Sequence, residues 1–429
     1  MSLKDFHQLS LPSALTARLS VLVILAALTL VPGWVKGQRL DLKRLGKGKT
    51  IQLPFELVND FIVINVLLDN VMPLRFIVDT GAENTVLLEK EISDLLQVNY
   101  QRTFNIRGAD VNAELTAYLA TGVDLRLADA LLARNRSMLV LEENYFNFQR
   151  IIGSNIQGIL GADFLMRFVV EIDYRKGYIT LHEPRSYKPG PRHVEVPAGF
   201  IRNRAYLNLP IAVSANEVSP RKLLLDSGAG LTLLIHTFGD STSTATDLPA
   251  LTVPTYIGNG LGGSLEGSVG RSRAVRLAGR ELNGVVTYFQ PLDTAGMAFL
   301  NDREGIVGNR ILKRFNVVID YIRNKVYFKP EGGYWKRRFR FDRSGMSIIA
   351  GGQNLRTYNV ANIVPGSPAD EAGIRVGDRI VAMNGTSVSF IGLGTLIRKL
   401  EGKVGKKIKI RYERDGKYNI VEFRLRSLI

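Results

Sequence analysis

The chain has 429 residues, 45% of them hydrophobic and 22% charged, which implies a globular protein of about two to four domains with real cores to bury. It has no cysteine and only four histidines, His7, His182, His193 and His236, so disulfides, thiol nucleophiles and cysteine-ligated metals are excluded and no histidine pair has metal-ligand spacing. The net charge of +16 lies late in the chain: residues 336–343 (KRRFRFDR) carry five basic side chains against one acidic, and residues 345–429 fourteen against seven.

In chain order, residues 1–37 come first. Lys4 and Arg18 precede SVLVILAALTLVPGW (20–34), an apolar run broken by Pro32 and followed by Val-Lys-Gly before Gln38. That run is short for a bilayer span of roughly 20 residues, and Gly37 suits a signal-peptidase site, so a cleaved leader and export are expected. An uncleaved N-terminal membrane anchor is the alternative. For an exported chain the lack of cysteine points to a bacterial envelope, periplasmic or secreted.

Residues 76–88 read FIVDTGAENTVLL, an apolar run that breaks on Asp-Thr-Gly and resumes. Those residue types favour turns. The pattern recurs at 223–235 as LLLDSGAGLTLLI, which places Asp79 and Asp226 147 residues apart. Downstream, GILGADFLMRFVVEIDY (158–174) resembles GIVGNRILKRFNVVIDY (305–321) at the same offset. Two motifs in one order at one offset define an internal duplication.

Each unit predicts a strand (61–68; 206–213), a second strand (74–78; 222–225) ending on the Asp loop, two hairpins, a short helix and a closing strand. The first hairpin spans 102–119 in one unit and 253–275 in the other. KPGPRHVEVP (188–197), with three prolines, is expected to be a surface linker between units. The resulting division is 1–37 leader, 38–187 first lobe, 188–197 linker, 198–332 second lobe, 333–344 basic linker and 345–429 a third domain.

Two carboxylates brought together by such a repeat cannot both ionise cheaply. The ionised one can take a proton from a bound water while the protonated one hydrogen-bonds a substrate carbonyl. On residues 76–82 with 85–87, on residues 223–229 with 232–234, and on the apolar-apolar-Gly elements 159–161 and 306–308, the chain resembles aspartic proteases of the retropepsin and pepsin clan, as a fused two-lobe form with retropepsin-sized units. The resemblance covers roughly residues 50–330. It implies a mostly β, bilobal acid-protease β-barrel fold with a pseudo-twofold repeat. It also implies that Asp79 and Asp226 form the catalytic dyad, that Thr80 and Ser227 brace the two loops, and that Gly81 and Gly228 let the backbone pack against the carboxylates. No cofactor and no metal is implied. Ala82 and Ala229 stand where pepsin-like enzymes carry a hydroxyl, so the dyad is expected to titrate higher, giving activity at mildly acidic to neutral pH.

Mobile hairpins that close over a peptide are also required. The candidates are Arg107 and Gly108 in the first unit, and Tyr256, Ile257 and Gly258 in the second. Gly258, Gly260 and Gly263 spell G-x-G-x-x-G but follow no βαβ unit, so a dinucleotide site is not expected.

From Gly345 the chain resembles a bacterial-type PDZ domain, through a strand (358–364), a Pro-Gly-Ser-Pro turn, a helix ending at Gly373, Val376-Gly377-Asp378-Arg379-Ile380 and Asn384-Gly385. Such domains capture an extended peptide beside a strand and bind its terminal carboxylate with loop amides. By resemblance the loop is Gly345, Met346, Ser347 and Ile348, and the groove helix spans 393–400.

The leading expectation is an exported aspartic endopeptidase with polypeptide substrates and a C-terminal peptide ligand for its PDZ domain. The alternative is a non-catalytic peptide-binding envelope protein that keeps the fold. The basic C-terminal part also suits an anionic envelope surface. Nucleic acid is not expected, since no reader motif is present.

Overall fold

The computed structural model describes residues 41–45, 50–107, 114–214, 217–238, 248–260, 263–292 and 303–429. The expected leader and Gly108 lie outside them. The fold is mostly β: two lobes, an interlobe sheet and a C-terminal PDZ domain.

Each lobe grows from the same nucleus. Phe61–Leu68 and Met72–Val78 pair as a hairpin through Asp69 and Asn70, both at positive φ, a backbone that these short polar residues tolerate. Arg204–Ala212 and Ser219–Leu225 pair in the same way in the second lobe. A short strand then slots in parallel beside the second strand of each hairpin. Ile159 stands opposite Ile77 in the first lobe and Ile306 opposite Leu224 in the second, the same register at the 147-residue offset. The inserted strands also pair antiparallel with Val86–Leu87 and Leu233–Phe238, so each Asp loop is held between two flanking strands. Fully apolar runs such as Phe76, Ile77 and Val78 suit these positions, since the strands are covered on both faces.

Gly161 and Gly308 follow the inserted strands at close backbone crossings. A Cβ on Gly161 would lie 2.5 Å from the Asn84 carbonyl, and one on Gly308 2.4 Å from the Leu231 carbonyl oxygen. The hydrogen bonds repeat as well, with Ala162 N donating to Ala82 O and Asn309 N to Ala229 O.

The closing strands of the repeats, Val169–Asp173 and Phe315–Asp320, pair antiparallel at the centre of a six-stranded interlobe sheet. Two features of this sheet differ from the sequence reading. Thr50–Pro54 forms its outer strand beyond Tyr178–His182, and Val194–Val196, the end of the expected linker, pairs with Lys325–Pro330. A sheet edge accepts a short strand after a proline-rich approach.

The expected basic linker is likewise not a free tether. Phe339 is buried, and the Arg314 guanidinium lies 3.5 Å from the centre of its ring. Alternating arginine and aromatic residues let the segment bury rings while its charges stay satisfied. The PDZ domain has its own core, including Ile348, Tyr358, Ile380, Leu396 and Ile410. Its groove helix, Leu393–Leu400, has the predicted bounds.

Candidate active site

The two Asp loops meet where the lobes join. The Thr80 amide donates to Ser227 Oγ at 3.0 Å, and the Ser227 amide donates to Thr80 Oγ1 at 3.0 Å. Each hydroxyl then donates to the other lobe's strand, Thr80 Oγ1 to Leu225 O at 2.8 Å and Ser227 Oγ to Val78 O at 2.7 Å. Thr80 and Ser227 are almost fully buried, so all four bonds are shielded from water.

Above this brace lie the carboxylates. Gly81 N and Ala82 N donate to Asp79 Oδ1 at 2.7 and 3.0 Å, and Gly228 N donates to Asp226 Oδ1 at 2.8 Å. Each glycine faces the opposite carboxyl: a Cβ on Gly228 would lie 2.2 Å from Asp79 Cγ, and one on Gly81 2.7 Å from Asp226 Cγ. No other residue type lets the backbone approach so closely.

Both carboxyls hold their protons more tightly than an ordinary aspartate. For Asp79 the cause is burial, offset in part by the amides of Gly81 and Ala82 and by Asp226. For Asp226 burial acts first and the neighbouring Asp79 adds to it, which carries this group well above the usual carboxylate range. Such a pair holds one proton between two groups over a wide pH span.

The Asp226 carboxyl opens on a cleft of 1870 Å³. Asp226, Tyr256, Ile257 and Gly258 line it from the second lobe, and Phe148 and Ile151 from the first. Tyr256 to Gly258 sit at a bulge in the hairpin of Thr252–Gly260 with Gly263–Leu277. In the first lobe, Arg107 forms the last described pair of its hairpin, with Glu114. Gly260 stands opposite Gly263 across the two strands of one hairpin, so the G-x-G-x-x-G pattern precedes no helix and forms no phosphate loop.

The same cleft reaches Gly345, Met346, Ser347 and Ile348 of the PDZ domain. Gly345 has φ +80°, and a Cβ there would meet Ser367 at 2.1 Å. Two of the loop's amides already have acceptors: Gly345 N donates to Asp342 Oδ2 at 2.6 Å and Met346 N to Ser344 Oγ at 3.2 Å. Burial raises Asp342 to about 6 against the pull of its own donors, the Ser344 hydroxyl and the Gly345 and Ser344 amides. Nearby, Arg310 ties three parts of the molecule together, contacting Asp60 of the first lobe at 2.8 Å and Glu401 of the PDZ domain.

The second-lobe wall holds residues that the sequence reading passed over. His236 and Arg303 line the cleft on the Asp226 side. Arg303 has a signal in the repeat: subtracting the 147-residue offset places it at Ile156, a buried apolar position of the first lobe.

Residues 64–164 match the family model of an aspartyl protease, and residues 360–414 that of a PDZ domain. The chain therefore carries a retropepsin-like aspartyl protease domain and a PDZ domain. Among curated proteins, the carboxy-terminal processing protease CtpA of Bacillus subtilis is 36% identical over 61 residues, 14% of this chain and 13% of that protein. A Lactococcus lactis protein named "Putative zinc metalloprotease LL2128" is 31% identical over 72 residues, 17% of this chain and 16% of that protein. The chain spans less than a fifth of the length of these relatives. A stretch of 72 residues cannot contain both Asp79 and Asp226, so these likenesses do not reach the paired site. Among the described residues there is no group of three or more His, Asp or Glu able to hold a metal.

Proposed function

We propose that the chain is an exported aspartic endopeptidase that hydrolyses peptide bonds with a water held between Asp79 and Asp226. One observation carries this reading: two Asp-x-Gly loops, 147 residues apart, face each other with each glycine against the opposite carboxyl. In the singly protonated pair the ionised carboxylate takes a proton from the water as its oxygen attacks the scissile carbonyl carbon. The protonated carboxyl donates to the carbonyl oxygen as negative charge develops there. Collapse of the tetrahedral diol then sends a proton to the leaving nitrogen and breaks the C–N bond. The rigid hydroxyl brace supports this chemistry because it fixes both carboxyls before substrate arrives. In this reading Tyr256, Ile257 and Gly258, which line the cleft, cover a bound peptide, and Tyr256 is a half-buried phenol whose pKa burial raises.

The PDZ domain belongs to the same reading. Its loop opens into the cleft that holds Asp226, so a polypeptide tail captured there lies next to the site of hydrolysis. That capture competes with Asp342 for the Gly345 amide. Export rests on the apolar run at 20–34 and its basic flank. N-terminal sequencing of exported material tests it, with Gln38 as the expected first residue and a start well upstream as the contrary result.

The catalytic reading is tested by digesting an unfolded protein with the full chain and with Asp79→Asn and Asp226→Asn, products being read by mass spectrometry. The expected result is cleavage by the wild type and its loss in both variants. Cleavage that survives either substitution assigns the activity to another site.

A further inference from the structure

The two halves of the cleft differ in chemistry at equivalent positions. In the first lobe Ile156 lies in a dry cluster with Phe146, Leu88 and Ile159. In the second lobe the equivalent residue is Arg303. Its backbone is held in place by Glu304, whose amide donates to Lys222 O at 2.8 Å and whose carboxylate accepts from Lys222 N at 2.9 Å and from Arg221 at 2.8 Å. His236 N donates to Glu304 O at 2.8 Å, fixing the neighbouring strand to the same residue.

Arg303 is thus presented from a rigid frame, yet among the described residues no carboxylate lies within ion-pairing distance of it, and its Nε is buried without a hydrogen-bond partner. His236 is 3% exposed, with Gln290 as its register neighbour and the side chain that interacts with its ring; burial, and then Arg303 beside it, lower its pKa to about 3, so the imidazole is neutral. Tyr206 and Arg204, within electrostatic reach of Arg303, add an unpartnered buried hydroxyl and an unpartnered Nε. The result is a group of buried polar atoms around Arg303, beside Asp226, the carboxylate whose charge acts most on that guanidinium. Buried donors are normally satisfied, so a group without a protein partner is a place where a water or a ligand can bind.

We propose that Arg303, with His236 beside it, forms a specificity pocket for a carboxylate on the substrate next to the scissile bond. This rests on the proposed protease reading. The source favoured is an Asp or Glu side chain of the polypeptide, since a planar guanidinium pairs with a carboxylate through two parallel N–H donors and rejects the neutral amide. The cleft favours acidic chains in general: Arg314, Arg338, Lys403 and Lys406 also line it. The first-lobe half, where Phe148 and Ile151 line the cleft, takes an apolar side chain on the other flank.

The test is digestion of a peptide library, randomised at six central positions and amidated at its C-terminus, by the full chain and by Arg303→Met and Arg303→Lys. The expected outcome is one subsite flanking the cut bond at which Asp and Glu exceed Asn and Gln by about 10- to 100-fold, the range of a charge-assisted pair. In R303M that ratio falls to about one, and in R303K, a point charge without the fork, it falls part of the way. A parallel library with free C-termini and neutral centres separates the other source: enrichment of cuts one residue from the end would assign the pocket to a terminal carboxylate and overturn the side-chain assignment. Dyad-dependent cleavage without acidic preference, or a preference unchanged in R303M, overturns the pocket while leaving the protease reading intact. If the wild type cuts nothing, the protease reading fails, and fluorescence anisotropy of the acid-centred and amide-centred peptides decides the pocket. Tighter binding of the acidic set by wild type alone supports it, and equal binding overturns it.

Discussion

The two lobes are near copies at the floor of the cleft and strangers at its walls. At the floor, the Thr80 and Ser227 bonds match to within 0.1 Å, the inserted strands share one register at the 147-residue offset, and each Asp loop ends on a glycine. Away from the floor, Ile156 in a dry core cluster of the first lobe corresponds to Arg303, which lines the cleft in the second. Beneath the site, Glu171 of the interlobe sheet stands in register with its own repeat mate, Val318. The difference separates two demands. At the Asp loops each half must complement its copy through reciprocal hydrogen bonds, so the residues stay alike, a demand that the backbone pairing of Glu171 with Val318 does not make. Where each half faces substrate or solvent, no such coupling acts, and the chemistry is free to diverge.

The sharpest way to break the floor is Gly228→Ala, whose Cβ would overlap the Asp79 carboxyl. Cleavage is expected to fall by on the order of 10³-fold or more, since one carboxyl must leave its place. Gly81→Ala tests whether the symmetry is functional: its methyl meets Asp226 at a slightly longer distance, and a comparable loss is expected, measured as kcat/KM on one peptide.

The brace comes next. Ser227→Ala leaves the Thr80 amide and the Val78 carbonyl without their partner, and Thr80→Val leaves the Ser227 amide and the Leu225 carbonyl. Each is expected to cost about 1–3 kcal/mol by denaturant unfolding, with the double variant costing less than the sum because the bonds form one network. Very unequal single costs would show that the two halves of the brace are not equivalent.

The smallest effect probes the asymmetric sheet beneath. Glu171 bonds to His182 at 2.9 Å and to Asn316 at 2.9 Å, and these partners, His182 first, hold its carboxyl at about 2. The folded pKa lies below the unfolded one, so its contribution is present above about 4.5 and is lost as pH falls toward 2. After allowance for its partial exposure, Glu171→Gln is expected to remove about 1–2 kcal/mol of that acid-sensitive stability, read from unfolding midpoints at pH 6 and pH 2.5. Parallel curves for variant and wild type would contradict it.

Much of this was legible in the sequence for a physical reason: duplication writes its signal twice. Asp79, Thr80 and Gly81 alone read as a turn, and only their recurrence as Asp226, Ser227 and Gly228 made them a site. The groove helix Leu393–Leu400 was legible through the resemblance to a PDZ domain. Arg303 was not, because a lone arginine in a loop resembles any solvated charge until its offset to Ile156 is taken. The basic segment at 333–344 was misleading in the same way: charge suggested a tether, while Phe339 and Arg314 pack it against the second lobe. Val194–Val196 shows the limit of local signals, since its strand exists only because Lys325–Pro330 presents an edge.

The most direct test of the central claim is the pH dependence of kcat/KM on a single peptide from pH 1.5 to 9. Two carboxyls sharing one proton give a bell-shaped profile. Because burial raises both groups and Asp79 raises Asp226 further, the plateau is expected at mildly acidic to neutral pH, with Asp79→Asn and Asp226→Asn each abolishing the whole profile. A maximum near pH 2, or a single-limbed profile that survives either substitution, would contradict a shared-proton dyad.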